Sequence, residues 1–196
     1  MFTGIIEVQG KVSEIVKKDK NYNFCITSSI SPELRVDQSV AHNGVCLTVT
    51  AIEGEKHWVT VVNESMRKTN FETLRVEDLV NLERCMIANG RFDGHVVQGH
   101  VDKTARILSI KDAQGSWLFT FGFDDPSNLM VEKGSVTING ISLTCFNVSE
   151  EQFQVAIIPY TYEHTNLGVL KEGFRVNIEF DIIGKYVEKI LSNKVP

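Results

Sequence analysis

Ser39-Val40-Ala41-His42-Asn43-Gly44-Val45-Cys46-Leu47-Thr48-Val49 returns 96 residues later as Ser135-Val136-Thr137-Ile138-Asn139-Gly140-Ile141-Ser142-Leu143-Thr144-Cys145. The same offset pairs Thr69-Asn70 with Thr165-Asn166, Leu74 with Leu170, and Val80-Asn81 and Glu83 with Val176-Asn177 and Glu179, with no gap between 39 and 83. So many matches at one fixed shift are the mark of an internal duplication. At a shift of 95, Gly4-Ile5 also resembles Gly99-His100. The second copy therefore opens near Asp93, and residues 84–92 become the linker.

Within the stretch, Val45, Leu47 and Val49 fall on one side and Cys46, Thr48 and Thr50 on the other. A period of two marks a strand with one buried face. Asn43-Gly44 and Asn139-Gly140 are hairpin-turn dipeptides, because both residues tolerate positive φ. Glu53-Gly54-Glu55 is another turn, and 58–62 and 154–158 are short β-branched runs. Short strands at regular spacing imply a small closed barrel in each copy. Short helices are expected over 65–70 and 162–166, and another over 124–130. The tail has Ile182, Ile183, Tyr186, Val187, Ile190 and Leu191 at helical spacing, and no counterpart in the first copy. That stripe either packs on its own barrel or joins another subunit.

The fold class is thus mainly β: two tandem homologous six-stranded closed barrels, Greek-key-like, with short helices and a C-terminal helix. The division is residues 1–92, residues 93–184 and a terminal helix and tail over 185–196. A chain of 196 residues with 42% hydrophobic and 23% charged residues is ordinary for a globular protein. Its net charge of −5 argues against nucleic acid as a partner. No apolar run reaches membrane-spanning length, and the N-terminus lacks the pattern of a signal peptide. Cys25, Cys46, Cys85 and Cys145 show neither metal-ligand spacing nor a disulfide framework. A reduced, cytoplasmic protein with no metal site is expected.

Cys145 aligns with core Val49 and is expected to be a small buried hydrophobe. Cys46 aligns with Ser142 on the polar face, which either meets solvent or hydrogen-bonds a polar heterocycle. His95 and His100, in Gly94-His95-Val96-Val97-Gln98-Gly99-His100, are five apart and so point oppositely on a regular strand. The flanking glycines imply close backbone approach to another element. Imidazole is the best general acid–base available, and His42, His57 and His164 lack a comparable setting. Gly-rich phosphate loops and dinucleotide motifs are absent from the sequence.

These motifs resemble riboflavin synthase along nearly the whole chain. The likeness is carried by Met1-Phe2-Thr3-Gly4-Ile5-Ile6, the residues 39–49, Gly94-His95-Val96-Val97-Gln98-Gly99-His100-Val101-Asp102, Asn139-Gly140-Ile141-Ser142-Leu143-Thr144 and Val176-Asn177-Ile178-Glu179-Phe180-Asp181. The resemblance implies dismutation of two 6,7-dimethyl-8-ribityllumazine molecules to riboflavin and 5-amino-6-(D-ribitylamino)uracil, the last step of riboflavin biosynthesis. It implies no cofactor and no metal. It places a first pocket at Gly4, Ile5, Ile6, Val45, Cys46, Leu47, Thr60, Val61, Val62, Asn63, Glu64, Ser65, Gly99, His100 and Val101. A second falls at Lys133, Ser142, Leu143, Thr144, Ile158, Pro159, Tyr160, Thr161, Tyr162 and Glu163. Ser39, Cys46, His100, Thr144 and Asp181 match positions tied to catalysis or substrate placement, and Phe2 one that closes the site. His100 or Thr144 is expected to transfer protons, and Ser39 or Cys46 to handle the nucleophile.

The same resemblance implies a homotrimer held by the terminal helix, sites shared between subunits, and association with lumazine synthase. Asn139 stands where many relatives carry Asp, Ser65 where Thr is common, and Tyr160 and Tyr162 where smaller or acidic residues are frequent. The tyrosine rings are placed to line the second pocket or alter its selectivity. The competing reading is a non-catalytic lumazine or flavin carrier or antenna protein. Such proteins tend to lose polar residues from one copy, whereas both copies here keep Leu-Thr and the hydroxyl face. A flavin-reductase-type barrel would need a nicotinamide site, which the sequence does not show.

Overall fold

A computed structural model describes residues 1–127 and 129–192. Its strands are β1 Val8–Lys18, β2 Asn21–Thr27, β3 Ser39–His42, β4 Val45–Glu53, β5 Lys56–Val61 and β6 Leu79–Arg84, then β7 Lys103–Asp112, β8 Trp117–Phe123, β9 Ser135–Ile138, β10 Ile141–Phe146, β11 Gln152–Ile157 and β12 Arg175–Phe180. The first six close a barrel in the order β1-β2-β5-β4-β3-β6, and the second six repeat it as β7-β8-β11-β10-β9-β12. All pairs are antiparallel, and β6 and β12 close the rings against β1 and β7. The jump from β2 to β5 gives the Greek-key character.

The alternating face expected from the repeat is the barrel interior. Val45, Leu47 and Val49 are buried while Cys46 is half-buried and Thr48 exposed. On β10, Ile141 and Cys145 are buried and Thr144 is exposed. Cys145 is a core residue at 1% exposure, as its alignment with Val49 implied. Each barrel holds its own core: Phe24, Val40, Val59, Phe71 and Leu82 in the first, Phe119, Phe121, Ile138, Phe153 and Ile178 in the second. Burial of such side chains contributes about 1.5–3 kcal/mol each.

Both Asn-Gly turns have positive φ at both residues: Asn43 47°, Gly44 76°, Asn139 46° and Gly140 83°. The two hairpin tips abut, because a side chain added at Gly44 would lie 2.7 Å from the Gly140 nitrogen. Around them six buried asparagines knit the barrels together. Asn81 Nδ2 donates to the Asn139 carbonyl (3.0 Å), and Asn177 Nδ2 donates to the Asn43 carbonyl (2.8 Å). The Asn166 main-chain N–H donates to Asn81 Oδ1 (2.8 Å), and that of Asn70 to Asn177 Oδ1 (2.6 Å).

The helices begin earlier than the sequence pattern suggests. They are α1 Asn63–Lys68 and α2 Pro159–His164, not 65–70 and 162–166. Pro159 pre-sets the first turn of α2. Thr69 and Thr165 end the helices in extended conformation, and each then starts a short 3-10 turn whose second N–H it accepts. The helix expected over 124–130 is absent at 124–127, 129 and 130, and residue 128 lies outside the described residues. There the Ser127 N–H is taken by the Glu150 carbonyl, and Lys103 Nζ reaches the carbonyls of Asp125 and Pro126. The terminal helix α3 spans Ile182–Ser192, so it starts three residues before the boundary at 185; the last four residues of that segment lie outside the described residues.

Candidate functional site

Two straps of main chain, residues 3–5 and 98–100, decide where the polar faces become sites. Each leaves the ladder of its own copy and lies across the opposite barrel. The Gly99 carbonyl accepts from the Cys46 N–H of the first barrel at 2.8 Å, and the Gly4 carbonyl accepts from the Ser142 N–H of the second at 2.8 Å. Both glycines have positive φ, +80° and +78°, and an added Cβ would sit 2.6 Å from the Cβ of Cys46 or Ser142. Only glycine satisfies both conditions. The close approach inferred from the glycines around His95 and His100 is therefore present. Gly94 is likewise held against the Thr3 carbonyl and Ser142.

The grouping of expected residues changes accordingly. Gly4, Ile5 and Ile6 are not brought to Val45, Cys46 and Leu47. The Gly4 carbonyl meets Ser142, and Ile6 packs against the second core. Gly99, His100 and Val101 stay with the first barrel, where Val101 packs against its core. Exchange of segments between two copies of one fold is invisible to a repeat alignment, since both ends of each contact are present in each copy.

At the first site, Phe2 is fully buried with Ala41 and Val97, and Cys46 and Cys85 pack against them. A two-way main-chain bridge joins Phe2 and Val97 (2.7 and 3.1 Å). Burial pushes the Cys46 thiol up from its ordinary value, and a hydrogen bond from Ser39 opposes this. Ser39, Cys46, Gly99 and Phe2 are thus brought together. Val45, Leu47 and Val61 instead face the barrel interior. The Thr60 hydroxyl donates to Asn23 Oδ1 (2.8 Å), on a groove with Trp58 and Thr50. Val62 is half exposed beside α1, where Glu64 pairs with Lys68 at 2.9 Å and the Ser65 carbonyl accepts from Thr69.

At the second site His95, rather than His100, meets the hydroxyls. Its Nδ1 lies 2.7 Å from Ser142 Oγ and its Nε2 3.2 Å from Thr137 Oγ1. A neutral ring must accept from one hydroxyl and donate to the other. Burial lowers the His95 pKa, and the nearby Asp181 carboxylate opposes that. Asp181 also caps α3, accepting the Ile183 N–H at 3.0 Å. His100 is exposed, and its main-chain N–H is held by Glu179. Thr144 is exposed on β10 opposite Ser135. Lys133 lies over the Phe146 ring at 4.9 Å, beyond Thr144 on the same strand.

The two tyrosine rings expected to line the second pocket or alter its selectivity have unlike surroundings. Tyr162 stacks on Trp117 with centroids 3.8 Å apart and packs on the core. Tyr160 is exposed and stacks on His164 at 4.1 Å. Ile158 is exposed, Pro159 opens α2, and the Thr161 carbonyl accepts from Thr165. Glu163 is exposed on the same helix.

Glu83 and Glu179 were visible as a repeat match, and Glu179 also within a motif of the resemblance, but neither was assigned a role. Each is the acid within the otherwise uncharged buried stretch of β6 or β12, which was the available signal. A cavity of about 660 Å³ lies where the barrels meet, lined by Asn43, Leu74, Asn166, Leu170 and Phe174. None of the expected site residues lines it. Among the described residues no group of three His, Cys, Asp or Glu side chains is placed to hold a metal, and no helix is long and apolar enough to cross a membrane.

The sequence matches the lumazine binding domain model twice, over residues 3–85 and 98–181. It is 42% identical over 196 residues to a riboflavin synthase of Actinobacillus pleuropneumoniae, covering 99% of this chain and 91% of that one. It is 39% identical over 193 residues to a riboflavin synthase of Bacillus subtilis (strain 168), covering 97% and 90%. Among solved structures it superposes on LumP complexed with 6,7-dimethyl-8-(1'-D-ribityl) lumazine with a TM-score of 0.83 at 24% identity, covering 91% of this chain and 98% of the other. At that identity the likeness is one of fold.

Proposed function

On the premise that this chain belongs to the riboflavin synthase family, with its duplicated lumazine binding domain, we propose that it dismutates two molecules of 6,7-dimethyl-8-ribityllumazine. One molecule gives up a four-carbon unit and leaves as 5-amino-6-(D-ribitylamino)uracil. The other accepts the unit and becomes riboflavin. The atoms of two substrates equal those of the two products, so no oxidant or reductant enters. This is a transferase reaction between identical substrates.

The observation that supports it is the pair of related but unlike half-sites. Cys46 under Gly99 and Ser142 under Gly4 occupy equivalent positions, yet one site offers a thiol beside Ser39 and the other a hydroxyl beside His95. Two copies of one molecule need two similar pockets, and unequal roles as donor and acceptor need chemical differences between them. Holding both substrates turns a bimolecular step into an effectively unimolecular one. The C7 methyl of one lumazine loses a proton, and its carbanion delocalises into the ring. A nucleophile adds near C7 of the other.

In this reading Ser142, with its hydroxyl on His95, and Ser39, with Cys46, are the groups placed to handle the nucleophile. His95 joins His100 and Thr144 as a candidate for proton transfer. Phe2 closes the first site from below the strap. The open faces of one chain fit sites completed by a neighbouring subunit in a trimer.

Purified protein mixed with the lumazine alone tests the proposal. Riboflavin absorbance should rise as the pyrimidinedione appears in equal amount. Tight binding of the lumazine with no riboflavin formed would refute it and favour a carrier.

A further inference from the structure

Glu83 and Glu179 are buried acids without a role in that chemistry. They occupy equivalent places in β6 and β12 and are 4% and 2% exposed. Among the described residues neither makes an ion pair. Their partners are the straps. Glu179 accepts the N–H groups of Gln98 (2.6 Å), Gly99 (2.9 Å) and His100 (2.8 Å). Glu83 accepts the Thr3 N–H (2.6 Å), the Thr3 hydroxyl (2.9 Å) and the Gly4 N–H (3.0 Å).

The other edge of each strap carries the carbonyl that meets the opposite barrel. Glu179, on the second barrel, thereby holds residues 98–100 against Cys46 on the first. Glu83, on the first barrel, holds residues 3–4 against Ser142 on the second. We propose that these two carboxylates are positioning residues acting across the molecule, each fixing the pocket of the barrel to which it does not belong. The catalytic consequence rests on the proposed function; the positioning itself does not.

The carboxylate is required by the count of donors. Three donors converge on two oxygens in each case, and charge assistance strengthens every contact. Glutamine keeps the shape but offers one acceptor, and it turns an N–H₂ toward a main-chain N–H. The substitution should therefore loosen the strap without opening the core.

The test compares the full-length chain with Glu179→Gln and Gly99→Ala by hydrogen–deuterium exchange and by steady-state kinetics. Gly99→Ala attacks the same strap from its Cys46 side, independently of Glu179. Both variants should speed exchange by at least about tenfold in the peptide carrying the Cys46 amide, as expected for losing a contact of this kind. The peptide covering β5 should not change. In both, kcat should fall more than KM rises. Unchanged exchange at Cys46 in the two variants would overturn the proposal, as would uniform acceleration over both barrels. A wild-type chain that makes no riboflavin would refute the proposed function and leave the exchange result standing on its own.

Discussion

His42 Nε2 and His57 Nε2 lie 2.8 Å apart inside the first barrel, both side chains fully buried. Their tautomers follow from their other partners. His42 Nδ1 faces the Val40 carbonyl at 3.1 Å, which can only accept, so Nδ1 donates and Nε2 accepts. His57 Nε2 must then donate, and its Nδ1 accepts from Ser31, 2.8 Å away, which itself accepts from Ser28. Protonating His42 sets its Nε2–H against that of His57, and protonating His57 puts a second N–H at Nδ1, where the Ser31 hydroxyl must reverse its donation. Burial accordingly lowers the His42 pKa to about 3 and the His57 pKa to about 4.

Acid should therefore destabilise the first barrel. Below about pH 6.5 the unfolded chain takes up protons at both histidines while the folded chain refuses them until about 4 and 3. Stability falls across that window by about 1.4 kcal/mol per pH unit per histidine. Burial raises Glu83 and Glu179, which have the opposite sign and stabilise the fold as pH falls through their folded values. The second copy has Ile138 and Phe153 at the positions of the histidines. The double variant His42→Ile, His57→Phe should remove most of the slope in urea unfolding measured between pH 6.5 and 4. An unchanged slope would assign the acid sensitivity elsewhere.

Asn139, which stands where many relatives carry Asp, is part of the seam between the barrels. Its side chain is fully buried at the barrel seam, where Oδ1 accepts the Asn177 N–H (2.8 Å) and Asn70 Nδ2 (3.2 Å). Its own Nδ2 has only a long contact to Asn166 Oδ1 at 3.4 Å. An aspartate keeps both accepted bonds but sets a carboxylate oxygen against Asn166 Oδ1 and buries a charge, which costs stability and leaves the two pockets untouched. Asn139→Asp should leave kcat unchanged. Asn139→Ala strands two donors and should cost about 2–4 kcal/mol in chemical denaturation. A tenfold fall in kcat for the aspartate variant would instead place this position in the catalytic machinery.

The duplication, the barrels and the inward faces of Val45, Leu47 and Val49 were legible because a strand period of two and a fixed offset are local signals. The Asn-Gly turns were legible for the same reason, but only as turns. That Asn43 and Asn139 also join the barrels depends on contacts spanning up to 134 residues, as between Asn177 and Asn43. The strap exchange was hidden because a repeat makes Gly4 equally compatible with Cys46 and with Ser142. His42 and His57 passed as unremarkable because a buried neutral pair needs the fourteen intervening residues to fold back before it exists.

His95 should matter more to turnover than its absence from the motif-based assignments suggests. Its ring is wedged between Ser142 and Thr137, whereas His100 is exposed and touches the site through its main chain. If His95 moves a proton, His95→Ala should lower kcat by about 10²-fold or more with little change in KM. His100→Ala should then lose less. Equal losses in kcat and in lumazine affinity would make His95 a binding residue.

The terminal helix α3 carries Ile183, Tyr186, Val187, Ile190 and Leu191 at 50–66% exposure, and none of its residues is buried. A run of large apolar side chains along one short helix is costly to leave in water. Lys185 ties its first turn to Asp102 at 2.6 Å, which fixes the helix to the second barrel while its stripe stays open. A second copy of the chain is the occupant that the trimer reading supplies. On the proposed trimer, the full chain should run as trimers in sedimentation velocity and a chain truncated before Lys185 as monomers. If the proposed sites are shared between subunits, truncation should also abolish most riboflavin formation. Asp102→Asn tests the tie separately, and should weaken assembly while leaving the monomer folded. Trimers from the truncated chain would show that the subunits meet through the barrels instead.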